Sequence, residues 1–150
     1  MSFLNKNYKY ILILIVLLIC FYRSPYIFLN GRFLAEDGSV WFSNAYSYGF
    51  LKGITQIYFG TQYFNLWANI TSVIAILFPL KFAPLVTVYM AFLAQLYLYV
   101  FIIFGESNFL TNKLDKIIGV FIVIITPAMV PQVWLASNVS QVYFSITTIL

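Results

Sequence analysis

Long apolar runs with almost no charge are the feature that most constrains this chain. Residues 84–104 contain no ionisable acid or base, and over the whole sequence 63% of residues are hydrophobic and only 8% are charged. An apolar run of about 20 residues is long enough to cross the hydrocarbon core of a bilayer. The sequence therefore predicts an all-α polytopic membrane protein, a bundle of about four or five transmembrane helices, and not a soluble domain.

We expect a single transmembrane domain over residues 1–150. The residues ahead of Arg23 lack the small side chains that signal peptidase requires, so we expect an uncleaved first helix instead of a signal peptide, with a kink at Pro25. Helical periodicity over residues 40–49 predicts an amphipathic helix that lies flat at the membrane interface. The predicted spans lie near 10–29, 64–80, 84–104, 117–134 and 138–150, and a long external loop covers 30–63.

The residue types present exclude several kinds of chemistry. With no histidine, the chain cannot form a Ser-His-Asp triad or a histidine metal site, and with Cys20 as its single thiol it cannot form an internal disulfide. The net charge of +4 comes from basic residues scattered singly, which suits anionic lipid better than a nucleic-acid backbone. We therefore expect the lipid bilayer and no nucleic acid as a partner. Acid/base chemistry must come from carboxylates, tyrosine or lysine.

The stretch "FLAEDGSVWF" places Glu36 and Asp37 side by side in a chain with only four acidic residues. Carboxylates close to a bilayer are costly and often mark ion, proton or substrate sites. Adjacent like charges raise each other's pKa, which favours proton transfer or a shared cation. Gly31 and Gly38 leave the backbone free to direct both side chains inward. The pair is the candidate functional centre.

A structural explanation of the same pair stays open. Asp37 or Ser39 could cap the helix that follows, because both residue types accept hydrogen bonds from the backbone N–H groups at a helix start. Glu36 could form an ion pair with Arg32 at the rim of the membrane. Neither role needs a substrate.

Five further residues are candidates for substrate binding. Arg32 and Lys52 could contact a phosphate, although either could instead anchor the chain at the membrane edge. Trp134, Asn138 and Gln141 follow a proline break and could line a sugar-binding groove by stacking and hydrogen bonding, or serve as interfacial anchors and helix-packing contacts. If the fourth apolar run re-enters the membrane instead of crossing it, residues 134–141 come to the same face as the acidic pair.

The stretches "NGRFLAEDGSVWFSNAYSYGF" and "FNLWANI" resemble the N-terminal part of GT-C type integral-membrane glycosyltransferases, in particular bacterial members that act on O-antigen of lipopolysaccharide or related surface glycans. The resemblance implies sugar transfer from a polyprenyl-phosphate-linked donor to a glycan acceptor hydroxyl on the periplasmic side of the inner membrane. It implies that Asp37 or Glu36 is the general base, or that both bind a divalent cation such as Mg or Mn. Members of this family carry many more spans, so we expect this chain to be an N-terminal fragment.

Two other classes of protein remain in consideration. A small multi-span transporter or flippase of a lipid-linked sugar should carry charges at mid-membrane depth, whereas the spans beyond Arg23 are free of charge, which favours the enzyme. A non-catalytic accessory membrane subunit would need only helix-packing residues. Counting spans from an inside N-terminus puts both the acidic loop and the loop at 105–116 outside, in conflict with the positive-inside tendency.

Overall fold

The computed structural model describes residues 2–58, 62–126 and 134–150, with side chains from residue 7 onward. In these ranges the regular secondary structure is helical, apart from one isolated antiparallel bridge between Tyr58 and Tyr63, and irregular segments such as 31–36 and 105–112 connect the helices. A π-helical turn spans Asp37–Phe42, and 3-10 turns span Leu80–Phe82 and Ser137–Val139. The helices are α1 (Ser2–Arg23), α2 (Pro25–Asn30), α3 (Ser43–Ile54), α4 (Leu66–Ala75), α5 (Ala83–Phe104), α6 (Lys113–Ile125) and α7 (Ser140–Ile149).

The prediction of four or five transmembrane helices is wrong. In the part of the chain that the structure describes, one helical stretch, Leu80–Phe104, is long and apolar enough to cross a membrane. α4 and α7 have 10 residues each and α6 has 13. At 1.5 Å per residue these helices reach roughly 15 to 20 Å, well short of a hydrocarbon core of about 30 Å. Residues 127–133 of the predicted fourth span lie outside the described residues.

Local sequence explains why the helices of two predicted spans end earlier than expected. The first apolar run divides at Ser24, whose backbone leaves the helix at φ −151° and ψ 60°. Pro25 then occupies the first turn of α2, where its missing N–H costs no hydrogen bond. The second predicted span ends at Ala75, ahead of a turn that leads to Pro79. α1 therefore ends at Arg23, ahead of the predicted end at residue 29, and α4 ends at Ala75, ahead of the predicted end at residue 80.

The main core is built around α5, which runs antiparallel to α1. The Tyr10 ring lies 5.7 Å from that of Phe104 at one end of the pair, and the Phe28 ring lies 5.9 Å from that of Tyr89 near the other. The core also takes in Tyr143 of α7. Its buried residues on α5 are Val88, Leu98, Tyr99, Ile102 and Ile103, and those on α1 are Leu12, Val16 and Cys20.

The acidic loop and the lysine-bearing loop lie at opposite ends of α5. A Cβ built on Gly31 would lie 2.6 Å from the backbone nitrogen of Leu85, so the chain reaches the acidic pair from the N-terminal end of α5. At the C-terminal end, Lys116 Nζ donates to the Gly105 carbonyl at 2.7 Å and Lys9 Nζ lies 5.3 Å from the Phe104 ring centre. With 22 residues, α5 is about 33 Å long. Counting the predicted spans put both loops on the same side of the membrane. That count assumed that α4, which has only 10 residues, crosses the membrane.

The amphipathic helix expected at residues 40–49 is replaced by the π-helical turn and α3. Trp41 and Ala45 are buried, whereas Tyr46 and Tyr48, which helical spacing over 40–49 puts on the same arc as Trp41, are exposed. The helix axis breaks at Gly49, which has φ 81° and ψ −177°. The aromatic residues of this segment therefore point both into the protein and away from it.

Candidate functional site

Asp37 joins the acidic loop to a segment one hundred residues further along the chain. Its side chain is 1% exposed. The Ser137 backbone N–H donates to both carboxylate oxygens, at 3.2 and 3.0 Å, and the Ser137 hydroxyl donates to Oδ1 at 2.6 Å. The carboxylate and this serine thus fix the start of the π-helical turn against the 3-10 turn Ser137–Val139.

The environment of Asp37 shifts its protonation. Burial raises the pKa of Asp37 from 3.8 to about 6, because it removes water from the charged form. Hydrogen bonds from Ser137 and from the Asn138 backbone oppose this rise in pKa, and the neighbouring charge of Glu36 adds to it. Desolvation is the largest of these effects. Asp37 therefore titrates in the weakly acidic range instead of near pH 4.

Glu36 has a more open environment than Asp37. It is half-buried, and its Oε2 accepts a hydrogen bond from Asn138 Nδ2 at 3.3 Å. The Asn138 carbonyl accepts from Asn65 Nδ2 at 2.8 Å, while Asn65 Oδ1 caps α4 by accepting from the Ala68 N–H at 3.1 Å. Asn138 Oδ1 is buried without a partner. A chain of amide contacts therefore holds one oxygen of Glu36 relative to the start of α4.

The backbone ahead of the pair turns sharply. Gly31 has φ 68°, and Ala35, directly before Glu36, has φ 47°. A non-glycine residue in the left-handed region costs roughly 1–2 kcal/mol, so Ala35 is a strained position at the site. Gly38 has no positive φ. The prediction that glycine frees the backbone at this site thus applies to Gly31 and not to Gly38. The second residue with a positive φ is Ala35.

The two predicted cationic residues do not join the acidic pair. Arg32 and Lys52 are both exposed. Among the described residues, no hydrogen bond or ion pair joins either side chain to Glu36 or Asp37, so the alternative Glu36–Arg32 pair is not formed. Lys52 borders a groove of about 400 Å³. The capping alternative for Asp37 is not observed either, because its carboxylate contacts Ser137.

The three predicted residues beyond the proline break separate in space. Trp134 is fully buried, with the Arg23 guanidinium 5.1 Å from its ring centre, so its ring is not available to stack on a sugar in this conformation. Gln141 is exposed and borders a groove of about 340 Å³ that Asn65 also lines. Asn138 contacts Glu36 directly. The 134–141 segment thus lies beside the acidic pair. Of its three predicted residues, Asn138 is the one that contacts the pair.

Two site residues were not among the candidates. Asn65 stands directly before the apolar stretch of α4, which is the sequence signal of an N-cap and could have identified it. Ser137 has no distinguishing pattern beyond its position next to Asn138. Its role depends on a contact between distant parts of the chain, which local sequence does not encode.

The acidic pair does not form a convincing metal centre. Over residues 2–58, 62–126 and 134–150, no three Asp, Glu or Cys side chains converge on a position that could hold a metal ion. Asp37 is also fully engaged by Ser137. A divalent cation would find only Glu36 with an open carboxylate oxygen, so the site fits proton transfer better than cation binding.

No protein-family model matches this chain, and no match is found among curated proteins or solved structures. The expected relation to GT-C glycosyltransferases therefore stays a prediction from the residues around the acidic pair. Any function assigned to the chain must be argued from the geometry of that site.

Proposed function

We propose that this chain is the N-terminal part of a GT-C-like membrane glycosyltransferase in which Glu36 is the general base. The observation that supports the proposal is the asymmetry of the acidic pair. Asn138 holds one oxygen of Glu36, while within the described residues no hydrogen bond reaches the other oxygen, Oε1. A base must reach the proton that it removes at hydrogen-bond distance. Glu36 can do so, whereas Asp37 is enclosed by Ser137.

Asp37 then acts as a positioning residue. Its three hydrogen bonds with Ser137 hold the 3-10 turn in place, and that turn carries Asn138 to Glu36. The reaction would be the attack of a glycan hydroxyl on the sugar of a polyprenyl-phosphate donor, with the hydroxyl proton passing to Glu36 and the lipid phosphate leaving. Arg32, exposed in the same loop, offers a cation for that phosphate.

The proposed location is the bacterial inner membrane, with the acidic pair on the periplasmic side. The pair lies toward the N-terminal end of α5, and Lys9 and Lys116 lie at the other end. Arg32 and Lys81 lie at the end of the acidic pair, so lysine and arginine do not select the orientation, which rests on the proposed reaction with a lipid-linked donor outside the cytoplasm. This orientation brings the acidic pair to the depth where a lipid-linked donor presents its phosphate.

The transporter alternative has less support. α5 carries no charged residue, and the Nε2 of its buried Gln95 donates to the Tyr99 hydroxyl at 3.2 Å. A transporter of a charged lipid should place ionisable groups between helices at mid-membrane depth. Here the acidic pair lies outside the one candidate span.

The proposal is tested by comparing the surface glycans of the source cells before and after disruption of the gene. Mass spectrometry of released glycan should show loss of a sugar on disruption and its return when the wild-type gene is supplied. Glu36→Gln should restore roughly 100-fold less product or none, because general-base catalysis contributes about that much. Asp37→Asn should give a smaller loss.

The matched control is Glu106→Gln, which changes the other glutamate, an exposed residue at the far end of α5. Immunoblotting of membranes checks that all variants accumulate equally. Unchanged glycans after gene disruption would reject the glycosyltransferase. Full restoration by Glu36→Gln, when disruption does remove a sugar, would reject Glu36 as the base and leave the enzyme class standing.

A further inference from the structure

A groove between α1 and α6 lies at the end of the molecule away from the acidic pair. It has a volume of about 350 Å³ and, apart from one ammonium group, its walls are apolar or aromatic. Residues spaced three and four apart supply both walls. The lining residues are Tyr8, Ile11, Leu12 and Ile15 from α1, and Lys113, Ile117 and Phe121 from α6.

The charge of the groove is confined to one end. Lys113, the first residue of α6, places its Nζ 4.5 Å from the centre of the Tyr8 ring. Lys9 lies in the same region, beside the Phe104 ring, and Lys116 donates to the Gly105 carbonyl. The negative groups nearby are Asp115, whose Oδ2 accepts from the Asn112 N–H, and the exposed Glu106. Among the described side chains at this end, three lysines against two carboxylates leave a net positive charge.

The length of the groove matches one leaflet of a bilayer. Lys113 and Phe121 are eight residues apart on one helix, which corresponds to about 12 Å along its axis. Half of the hydrocarbon core of a bilayer is about 15 Å thick. An acyl chain that begins at the ammonium of Lys113 would therefore lie along Ile117 and end near Phe121.

We infer that this groove binds one anionic phospholipid, with the headgroup phosphate at Lys113 and an acyl chain along the apolar walls. Charge complementarity selects an anionic lipid over a zwitterionic one, because the charged group among the described lining residues is a cation. The site is separate from Glu36 and Asp37, and the inference does not depend on the proposed glycosyltransferase activity.

The test is native mass spectrometry of the purified full chain in detergent, titrated with phosphatidylglycerol or with phosphatidylcholine of the same acyl chains. We expect a one-lipid adduct with phosphatidylglycerol at concentrations about fivefold lower than with phosphatidylcholine. Lys113→Gln should remove this preference, since one lysine near an anionic headgroup accounts for about a fivefold difference. Ile117→Trp, which fills the groove, should weaken binding of both lipids.

The matched control is Lys81→Gln, which removes an exposed lysine at the opposite end of α5. Far-UV circular dichroism checks that each variant keeps its helix content, and Lys113→Gln alone decides the question if Ile117→Trp does not fold. Equal binding of the two lipids by the wild-type chain would overturn the inference. So would an unchanged preference in Lys113→Gln, or a dimer that forms without lipid and is disrupted by Ile117→Trp.

Discussion

At the scale of single residues, Asp37 makes the stability of the protein depend on pH. Its pKa is raised from 3.8 to about 6 in the fold, mainly by burial, so between these values the folded state binds more protons than the unfolded state. The free energy of unfolding should therefore fall by roughly 3 kcal/mol in total as the pH rises through both pKa values, with about 2 kcal/mol of the fall between pH 4 and pH 6. Thermal unfolding in detergent across this pH range measures the effect.

Asp37→Asn is the comparison that isolates this contribution. The variant keeps a side chain of the same shape and has no proton to release, so its stability should change less over the same pH range. The other three carboxylates are present in both proteins, so the difference between the two profiles reports on Asp37. Identical pH profiles for the two proteins would show that Asp37 has an ordinary pKa in the fold.

The sequence identified part of this site and missed the rest for a definite reason. Glu36 and Asp37 were recognisable because carboxylates are rare in this chain, and Asn138 because it follows a proline break. Ser137 was not recognisable, since its contact with Asp37 joins positions 100 residues apart. The same long-range packing buries Trp134 beneath Arg23, so a residue predicted to bind sugar belongs to the core.

At the scale of secondary-structure elements, the junction between α2 and the acidic loop depends on Gly31. Its backbone, with φ 68° and ψ 150°, lies in a region that is essentially restricted to glycine, and an added Cβ would lie 2.6 Å from the Leu85 nitrogen. We expect Gly31→Ala to destabilise the protein by roughly 3 kcal/mol or more, as backbone strain and overpacking add.

Gly49→Ala is the matched control for Gly31→Ala. Gly49 shares the same backbone region, with φ 81°, but has no atom within 4 Å of a built Cβ. Gly49→Ala should introduce the backbone strain without the steric clash. Its loss of stability should therefore be about 1–3 kcal/mol smaller than that of Gly31→Ala. Thermal midpoints of both variants in the same detergent provide the measurement. Equal midpoints would mean that Gly31 does not approach α5 as closely as the structure shows.

The helical character of the elements followed from apolar periodicity, but their lengths did not. A hydropathy profile shows that a segment avoids water. It does not distinguish a helix buried in a protein core from a helix that crosses a membrane. In α4, Asn69, Thr71 and Ser72 are buried within the protein, so the run is apolar on average without being a span. Ser24 and Pro25 likewise divide the first predicted span, next to the position where the sequence predicted a kink.

At the scale of the whole molecule, the charges define two ends. If α5 crosses the membrane, the exposed residues Ser39, near the acidic pair, and Asn108, near the lysines, must face opposite sides. The native Cys20 is buried, so the wild-type chain serves as the unlabelled background. We expect an impermeant maleimide to label Ser39→Cys in intact cells and Asn108→Cys only after permeabilisation, because the proposed reaction needs the acidic pair outside the cytoplasm.

Labelling of both cysteines in intact cells would show that the two loops share one side, and that α5 does not cross between them. Labelling of Asn108→Cys alone would keep the crossing and reverse the orientation. The second result would also place the acidic pair in the cytoplasm, where it could not act on a periplasmic glycan. The topology experiment therefore bears directly on the proposed reaction.

The hydrogen bonds between Asp37 and Ser137 determine when the site can form during biosynthesis. A ribosome adds about 5–20 residues per second, so the serine follows the aspartate by roughly 5 to 20 s. Throughout this interval the nascent acidic loop lacks the three hydrogen bonds that enclose its carboxylate. The site must therefore be assembled late, after α5 and α6 have been synthesised, and a contact of such high sequence separation is expected to form slowly.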